Sequence, residues 1–451
     1  MRTIVEPMEL IDRVWGKQRI KEGATYRMMR YVLRVEYDNK VLLHNVVTGK
    51  LVVLDEDERY IVDNLPSPFS ASLLDLLRDH FVVPDEIDEC GEVTKLRVIL
   101  RRLYEQCEPS DIRKFTILPT TACNARCYYC FEQGAKTSTM SAGVADDVVN
   151  YIADHCKEGA KVVILWFGGE PTVAADRIDQ ISKGLITHGI DFTSRMMSNG
   201  YLLNEEMIKR AKHIWHLTSV KICFDGVNNQ YKRVKAYSYG DDDPYETVMS
   251  NIGILLKEGI EVNIRMNFDI DNHGDFSLLI EDTLKRFGPH PLLGIAAHPI
   301  IGAYPGPDGV IAHGDDDWFE KKTLELNTVA RAYGVTVNVR LPHLEYLGCS
   351  AARRSTVTIT PDGNLVRCLE QFGNDQIVGN IYDGITNEEI IQSWRCFADY
   401  ERCKSCTLFP VCAKLKRCAV KEKCYYYLEY IDQYTEVVKR EYEKERVKDD
   451  F

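Results

Sequence analysis

The sequence predicts an α/β protein whose centre is a parallel sheet wrapped by helices into a complete or partial β/α barrel. Three observations predict it. Between about residues 114 and 340, short apolar runs alternate with amphipathic stretches of helical period, each run ends in polar residues or glycine, and three cysteines follow the first run. Such alternation is how a chain builds parallel strands joined by outer helices. At 451 residues the chain exceeds one ordinary core, so two or three domains are expected.

Residues 1–110 contain "RMMRYVLRVEYDNKVLLHNVVTGKLVVLD", where apolar and polar residues alternate around Asp38-Asn39 and Thr48-Gly49. The pattern predicts two or three short antiparallel strands with tight turns. Helical periods follow in "DEDERYIVDNL", "SASLLDLLRDHF" and "VTKLRVILRRLYEQC". A small sheet followed by helices is compatible with a winged-helix-like module, an arrangement that by itself assigns no function.

Residues 111–340 supply the barrel. Its strands are predicted at "FTILPTT", "KVVILWFGG", "TSRMMSNG", "SVKICFDG", "EVNIRMNFD" and "LGIAAHPI", with helices such as "SAGVADDVVNYIADHC" and "PYETVMSNIGILLKEG" between them. In such barrels the chemistry sits at the C-terminal ends of the strands. Residues 341–451 are cysteine-rich until "CYYYLEYIDQYTEVVKREYEKERVK", which predicts a charged amphipathic helix packed on the surface.

The formal charge of −12, with both signs mixed along the chain, argues against a nucleic-acid groove, which needs a basic face. The start, "MRTIVEPMEL", lacks the apolar core of a secretory signal, and no run approaches the roughly 18 apolar residues of a membrane span. The cytoplasm is the expected location. There, fifteen cysteines point to metal ligands or reactive thiols rather than disulfides. Three lie at 123–130, eight lie from Cys349 to Cys424, and none falls between Cys223 and Cys349.

The first group stands in "TTACNARCYYCFEQG" as Cys123, Cys127 and Cys130, on the loop after the first barrel strand. Four thiols would close a zinc site. Three, on a cube of four irons, leave one iron free for an outside ligand. The spacing resembles the CxxxCxΦC signature of the radical S-adenosylmethionine (radical SAM) enzymes, with Tyr129 as the aromatic residue. "WFGGEP" resembles the family's GGEP motif, which holds the methionine amino group, through Gly168, Gly169, Glu170 and Pro171. Ser198 and Asn199 in "MSNG" match a position that contacts SAM in relatives. "CFDG" is similar to an SLDG motif, with Cys223 in place of serine, so no SAM contact is assigned there. Arg233 or Arg265 would pair with the SAM carboxylate. Taken singly, each motif reads as ordinary turn chemistry or, for the cysteines, as a zinc or redox site. Their order on successive strand ends favours the family. The resemblance implies a partial (β/α)6 barrel that binds SAM and one [4Fe-4S] cluster and generates a 5′-deoxyadenosyl radical.

The second group reads Cys349, Cys368, then Cys403, Cys406, Cys412, Cys418 and Cys424. It resembles the SPASM extension, which carries two auxiliary [4Fe-4S] clusters. Five residues separate Cys412 from Cys418, where three are usual. The resemblance implies one cluster on Cys349, Cys368 and Cys418, and a second on Cys403, Cys406, Cys412 and Cys424. The three-ligand set leaves an open iron for a substrate thiolate, or is completed by Cys396. The competing reading is zinc, whose ribbons use similar spacing. Cys90, Cys107 and Cys156 read as small apolar residues in helices.

Enzymes with this combination mostly modify peptides or proteins. The resemblance therefore implies a maturase of ribosomally made peptides, with the N-terminal module holding the precursor's leader as an added strand. The expected product is a cysteine thioether crosslink, as in sactipeptides and ranthipeptides, with flavodoxin or ferredoxin as electron donor. The alternatives are a carbon-carbon crosslinking maturase, an anaerobic sulfatase-maturing (formylglycine-forming) enzyme and a zinc-rich interaction protein.

Overall fold

The computed structural model describes residues 1–108, 111–130, 132, 137–239, 243–300, 316–334, 339–371, 373–418 and 424–449. Residue 110, where the sequence puts the first domain boundary, lies outside them.

Six parallel strands pair in chain order to make the barrel sheet: β1 (Lys114–Thr120), β2 (Val162–Gly168), β3 (Phe192–Ser198), β4 (Leu217–Phe224), β5 (Glu261–Phe268) and β6 (Leu293–Pro299). Each coincides with an apolar run picked out above. The two-residue period sorts their side chains. Val220, Ile222 and Phe224 of β4 and Val262, Ile264 and Met266 of β5 share one core with Ile252 and Leu255 of the helix Pro244–Lys257. The intervening residues, Lys221, Cys223 and Arg265 among them, turn to the other face, inside the barrel. The connecting helices begin where the side chains allow. Ser141 accepts from the Val144 amide at 3.2 Å, and Asn204 accepts from the Met207 amide at 2.9 Å.

The sheet does not stop at β1. Thr356–Ile359 pairs in parallel with the outer edge of β1, and three short antiparallel strands continue it, so ten strands share one sheet. The cysteine-rich segment is thereby hydrogen-bonded to the strand that leads into Cys123.

At the N-terminus, Val32–Tyr37, Lys40–Asn45 and Leu51–Val53 form an antiparallel sheet. Asp38 and Asn39 turn between the first two with φ of 50° and 57°, the left-handed conformation a two-residue hairpin demands. Arg2–Val5 adds a fourth strand against Leu51–Val53, so the chain's own start occupies that edge. Val32–Tyr37 forms the other edge, and no described strand pairs beyond it.

Two long helices tie these parts together. From the helix Glu89–Cys107, buried Arg97 donates to the carbonyls of Glu345 at 3.0 Å, Pro410 at 2.9 Å and Cys412 at 3.1 Å. Its guanidinium also stacks 4.4 Å from Phe397 and 4.5 Å from Phe409. The C-terminal helix, Tyr427–Asp449, is more than a surface element. Its Val438 and Tyr442 close a core with Val35, Leu42, Leu51 and Val53, while Arg331 of the helix Asp316–Ala332 binds Glu429 at 2.6 Å. No described helix is long and apolar enough to cross a membrane.

One buried residue makes this packing pH-sensitive. The His44 ring is fully buried, with Nε2 2.9 Å from the Pro342 carbonyl oxygen. Burial lowers its pKa from 6.5 to about 4. Between those values the unfolded chain takes up a proton and the folded chain does not, so stability falls as pH drops below 6.5. The loss reaches about 3 kcal/mol below the folded value. Thermal denaturation from pH 7 to pH 5 is expected to show a steeper fall in Tm for the parent than for His44→Gln.

Candidate active site

The first strand-to-helix loop, at the C-terminal end of β1, is pinned from both sides. Thr121 accepts through its hydroxyl from the Ser138 amide at 2.8 Å and donates its own amide to the Ser138 carbonyl at 2.9 Å. The end of β2 then passes directly beneath it. The Gly169 amide donates to the Thr120 carbonyl at 3.1 Å and the Glu170 amide to the Ala122 carbonyl at 2.9 Å. A Cβ on Gly168, whose φ is 120°, would lie 2.2 Å from the Thr120 oxygen. One on Gly169 would lie 2.5 Å from two carbonyl oxygens. The paired glycines are thus required by backbone contact with the cysteine loop.

This contact shapes a cavity of about 530 Å³ at the strand ends, within the usual size of a small-molecule site. Its wall includes Cys123, Cys127, Cys130, Tyr129, Gly168, Gly169, Ser198 and Asn199, eight of the residues singled out from the sequence. Glu170 and Pro171 are buried off that wall. Glu170 braces it instead: its carboxylate accepts from the Thr172 amide at 3.1 Å, the Ser198 hydroxyl at 2.9 Å and the Asn199 amide at 2.7 Å, locking the ends of β2 and β3 together. Asn199 donates to Asn124 at 2.7 Å, beside Cys123.

Burial pushes the Cys123 thiol up to about 11 and the Cys127 thiol up to about 12, and raises Cys130 as well. Three thiolates in such surroundings need a bound cation to neutralise them, which suits a metal cluster.

The sequence reading passed over Lys235 and set Cys223 aside, yet both stand on the cavity wall. Lys235 sits at the end of the helix Asn228–Lys235, 3% exposed, with Nζ 2.8 Å from the fully buried Asp225 carboxylate. Tyr129 donates to the same carboxylate, and Asn267 donates to the Tyr129 hydroxyl at 2.8 Å. The Lys235 carbonyl accepts from the Arg126 amide at 2.8 Å inside the cysteine loop. Arg233, by contrast, is exposed and donates to Gln230 at 2.9 Å. Arg265 donates to Asn267 at 2.9 Å from inside the barrel. The available signal was helical spacing: Lys235 lies one turn from Tyr231, which is itself buried.

The sequence model of the Radical SAM superfamily matches residues 117–282, which include this loop, the end of β1 and the whole of β2 to β5. The chain carries a radical SAM domain. Two curated relatives of that domain are described as "Probable GTP 3',8-cyclase", from Methanococcus maripaludis strains C5 and C6. They are 27% identical over 157 residues and 28% over 127, covering 35% and 28% of this chain. These matches span 47% and 41% of the relatives, less than half their length. Among solved structures, native anSMEcpe with bound AdoMet is similar at a TM-score of 0.55 and 18% identity, over 72% of this chain and 96% of that one. Streptococcus suis SuiB bound to its precursor peptide SuiA is similar at 0.52 and 14%, over 89% and 98%. At these identities the likeness is one of fold. A radical SAM domain implies SAM and one [4Fe-4S] cluster, and the three thiols in a cavity of this size fit that pair.

Beyond the radical SAM domain, seven of the remaining cysteines fall into two groups that act on one another electrostatically. Cys368 is raised by burial to about 11, with further upward contributions from Cys349 and Cys418. Cys406 is likewise raised to about 11, with contributions from Cys424, Cys412 and Cys403. Cys396 is exposed, its sulfur 4.0 Å from the Gln392 carbonyl. Among the described residues, no three histidine, cysteine or acidic side chains converge tightly enough to hold a single metal ion.

Proposed function

We propose that this chain is a radical SAM maturase of a ribosomally made peptide, joining a cysteine sulfur to a carbon of the same peptide. The observation that carries the radical chemistry is the three-thiol cavity at the strand ends. The peptide substrate is supported by the similarity in fold to SuiB over 89% of the chain, which takes in the segments on both sides of the barrel. The bound cluster and SAM would supply a carbon-centred radical able to remove an unactivated hydrogen. The residues of this chain do the rest. Cys123, Cys127 and Cys130 would hold the cluster, and Ser198 and Asn199 would wall the space for SAM. The glycine pair brings that wall against the cluster loop, and Lys235 with Asp225 fixes Tyr129.

Cys349, Cys368 and Cys418 would hold one auxiliary cluster, and Cys403, Cys406, Cys412 and Cys424 the other, matching the two groups described above. Iron analysis after reconstitution is expected to give about twelve irons per chain. The N-terminal sheet would receive the precursor's leader at its free edge, Val32–Tyr37, by backbone pairing.

The test is anaerobic reconstitution with SAM, a reductant and the cysteine-containing peptide encoded beside the gene, followed by mass spectrometry. The expected product has lost two hydrogens per crosslink and resists thiol alkylation. A product that loses two hydrogens but still alkylates shows a carbon-carbon crosslink instead. An unchanged peptide contradicts the maturase reading.

A further inference from the structure

At the floor of the SAM cavity the barrel interior carries two cations that make no salt bridge to a described carboxylate. Lys221 lies two residues before Cys223 on β4, and Arg265 two residues before Asn267 on β5, while Cys223 and Asn267 themselves line the cavity. A step of two residues along a strand keeps the same face and descends about 6.5 Å. The two strands are hydrogen-bonded neighbours, with Cys223 opposite Arg265 and Lys221 opposite Asn263. Arg265 therefore sits level with the cavity residue Cys223, and Lys221 one pleat below it, both on the face that looks at the site of radical generation.

Among the described residues, neither makes a salt bridge. The one hydrogen bond that the Arg265 guanidinium makes to them goes to a neutral amide, that of Asn267. Lys221 makes no salt bridge or hydrogen bond among the described residues, and lines a second cavity of about 600 Å³. Both carboxylates on that second wall have a cation of their own, Glu429 through Oε1 with Arg331 at 2.6 Å and Glu436 with Lys439 at 2.7 Å, although Glu429 Oε2 is buried without a hydrogen-bond partner. His298 adds no charge at neutral pH, because burial holds its pKa at about 3, with Arg265 and Lys221 contributing. Burial, and then Arg265, lower the Lys221 pKa. An anion lodged between the two would reverse that pressure, since an opposite charge at short range favours the ammonium. The upper cavity has a cation of its own in Lys235, paired with Asp225 at 2.8 Å.

We infer that Lys221 and Arg265 form the subsite for a peptide carboxylate, so that the residue presented to the radical is an aspartate or glutamate of the substrate. A carboxylate held between Arg265 and Lys221 leaves that residue's own aliphatic carbons facing the upper cavity. This rests on the maturase reading and deepens it by naming the substrate class. The chain's net charge of −12 gives no general attraction for acidic peptides, so a preference for them would be local.

The probe is a randomised library of displayed peptides, each with one fixed cysteine, selected for binding to the immobilised, reconstituted full chain loaded with SAM. Aspartate and glutamate are expected to be enriched at least about tenfold at one distance from the cysteine, corresponding to about 1.4 kcal/mol. Lys221→Gln is expected to lose that enrichment and Lys221→Arg to keep it. A synthetic peptide with a free C-terminal carboxylate and no acidic side chain is expected to bind at least about tenfold more weakly than its internal-aspartate counterpart. The inference is overturned if acidic residues are not enriched, or if enrichment survives Lys221→Gln. It is also overturned if Lys221→Gln weakens binding of labelled SAM, which would assign the pair to the cofactor. Selected peptides that bind through the pair but lose no hydrogens on incubation would contradict the maturase reading while leaving the subsite intact.

Discussion

Cys127→Ala is expected to cut 5′-deoxyadenosine formation from SAM below about one thousandth of the parent rate, a barrier increase of about 4 kcal/mol. Iron bound per chain should fall by about four in the same preparation. The reason lies in the count of donors. The loop after β1 offers three thiols to one cavity, and among the described residues the other sulfur-bearing ones on its wall, Cys223 and Met197, belong to separate strands. With two thiols left the cube has no stable seat. Cys107→Ser is the matched control, because Cys107 is exposed at the end of the helix Glu89–Cys107 and lies off the cavity wall. Loss of activity in Cys127→Ala with full retention of iron would contradict this account of the loop.

Lys235→Met is expected to destabilise the barrel by about 3–5 kcal/mol, because it strands a buried carboxylate without its cation. Asp225 has no solvent exposure, and its remaining donors, Tyr129 and Asn267, are neutral. Methionine keeps the length and apolar stem of lysine, so the change isolates the charge. Thermal unfolding is expected about 10 °C lower. Adding Asp225→Asn should recover at least half of the loss, since the double variant buries no unpaired charge. Equal stability of parent and Lys235→Met would mean that Asp225 is satisfied by other means.

Most of the barrel was legible because its strands are local signals. "FTILPTT" and "KVVILWFGG" each bury alternate residues against helices of clear period, and their ends carry the chemistry. Long-range pairing was not legible. Nothing in Thr356–Ile359 marks it as the neighbour of β1, and nothing in Arg2–Val5 marks it as the neighbour of Leu51–Val53, because register between distant segments is set by tertiary packing.

At the site, the motifs located the cavity but not all of its physics. Gly168 and Gly169 were read for a ligand contact, whereas their fixed requirement is backbone clearance from Thr120, Thr121 and Ala122. Lys235 was hidden in "NNQYKRVK", a stretch whose composition reads as a solvated helix face. Its burial depends on Asp225, ten residues away and outside that helix. Arg97 was hidden in the same way within "VTKLRVILRRLYEQC", although its guanidinium holds the N-terminal helix to the cysteine-rich segment.

The most direct measurement is the anaerobic conversion of SAM to 5′-deoxyadenosine by the reconstituted full chain, with dithionite as reductant and chromatographic quantification. The account predicts at least about one equivalent of 5′-deoxyadenosine per chain, with none formed when dithionite is omitted. Protein that carries its iron and still yields no 5′-deoxyadenosine would contradict the assignment of the Cys123, Cys127 and Cys130 cavity as the place where SAM is cleaved.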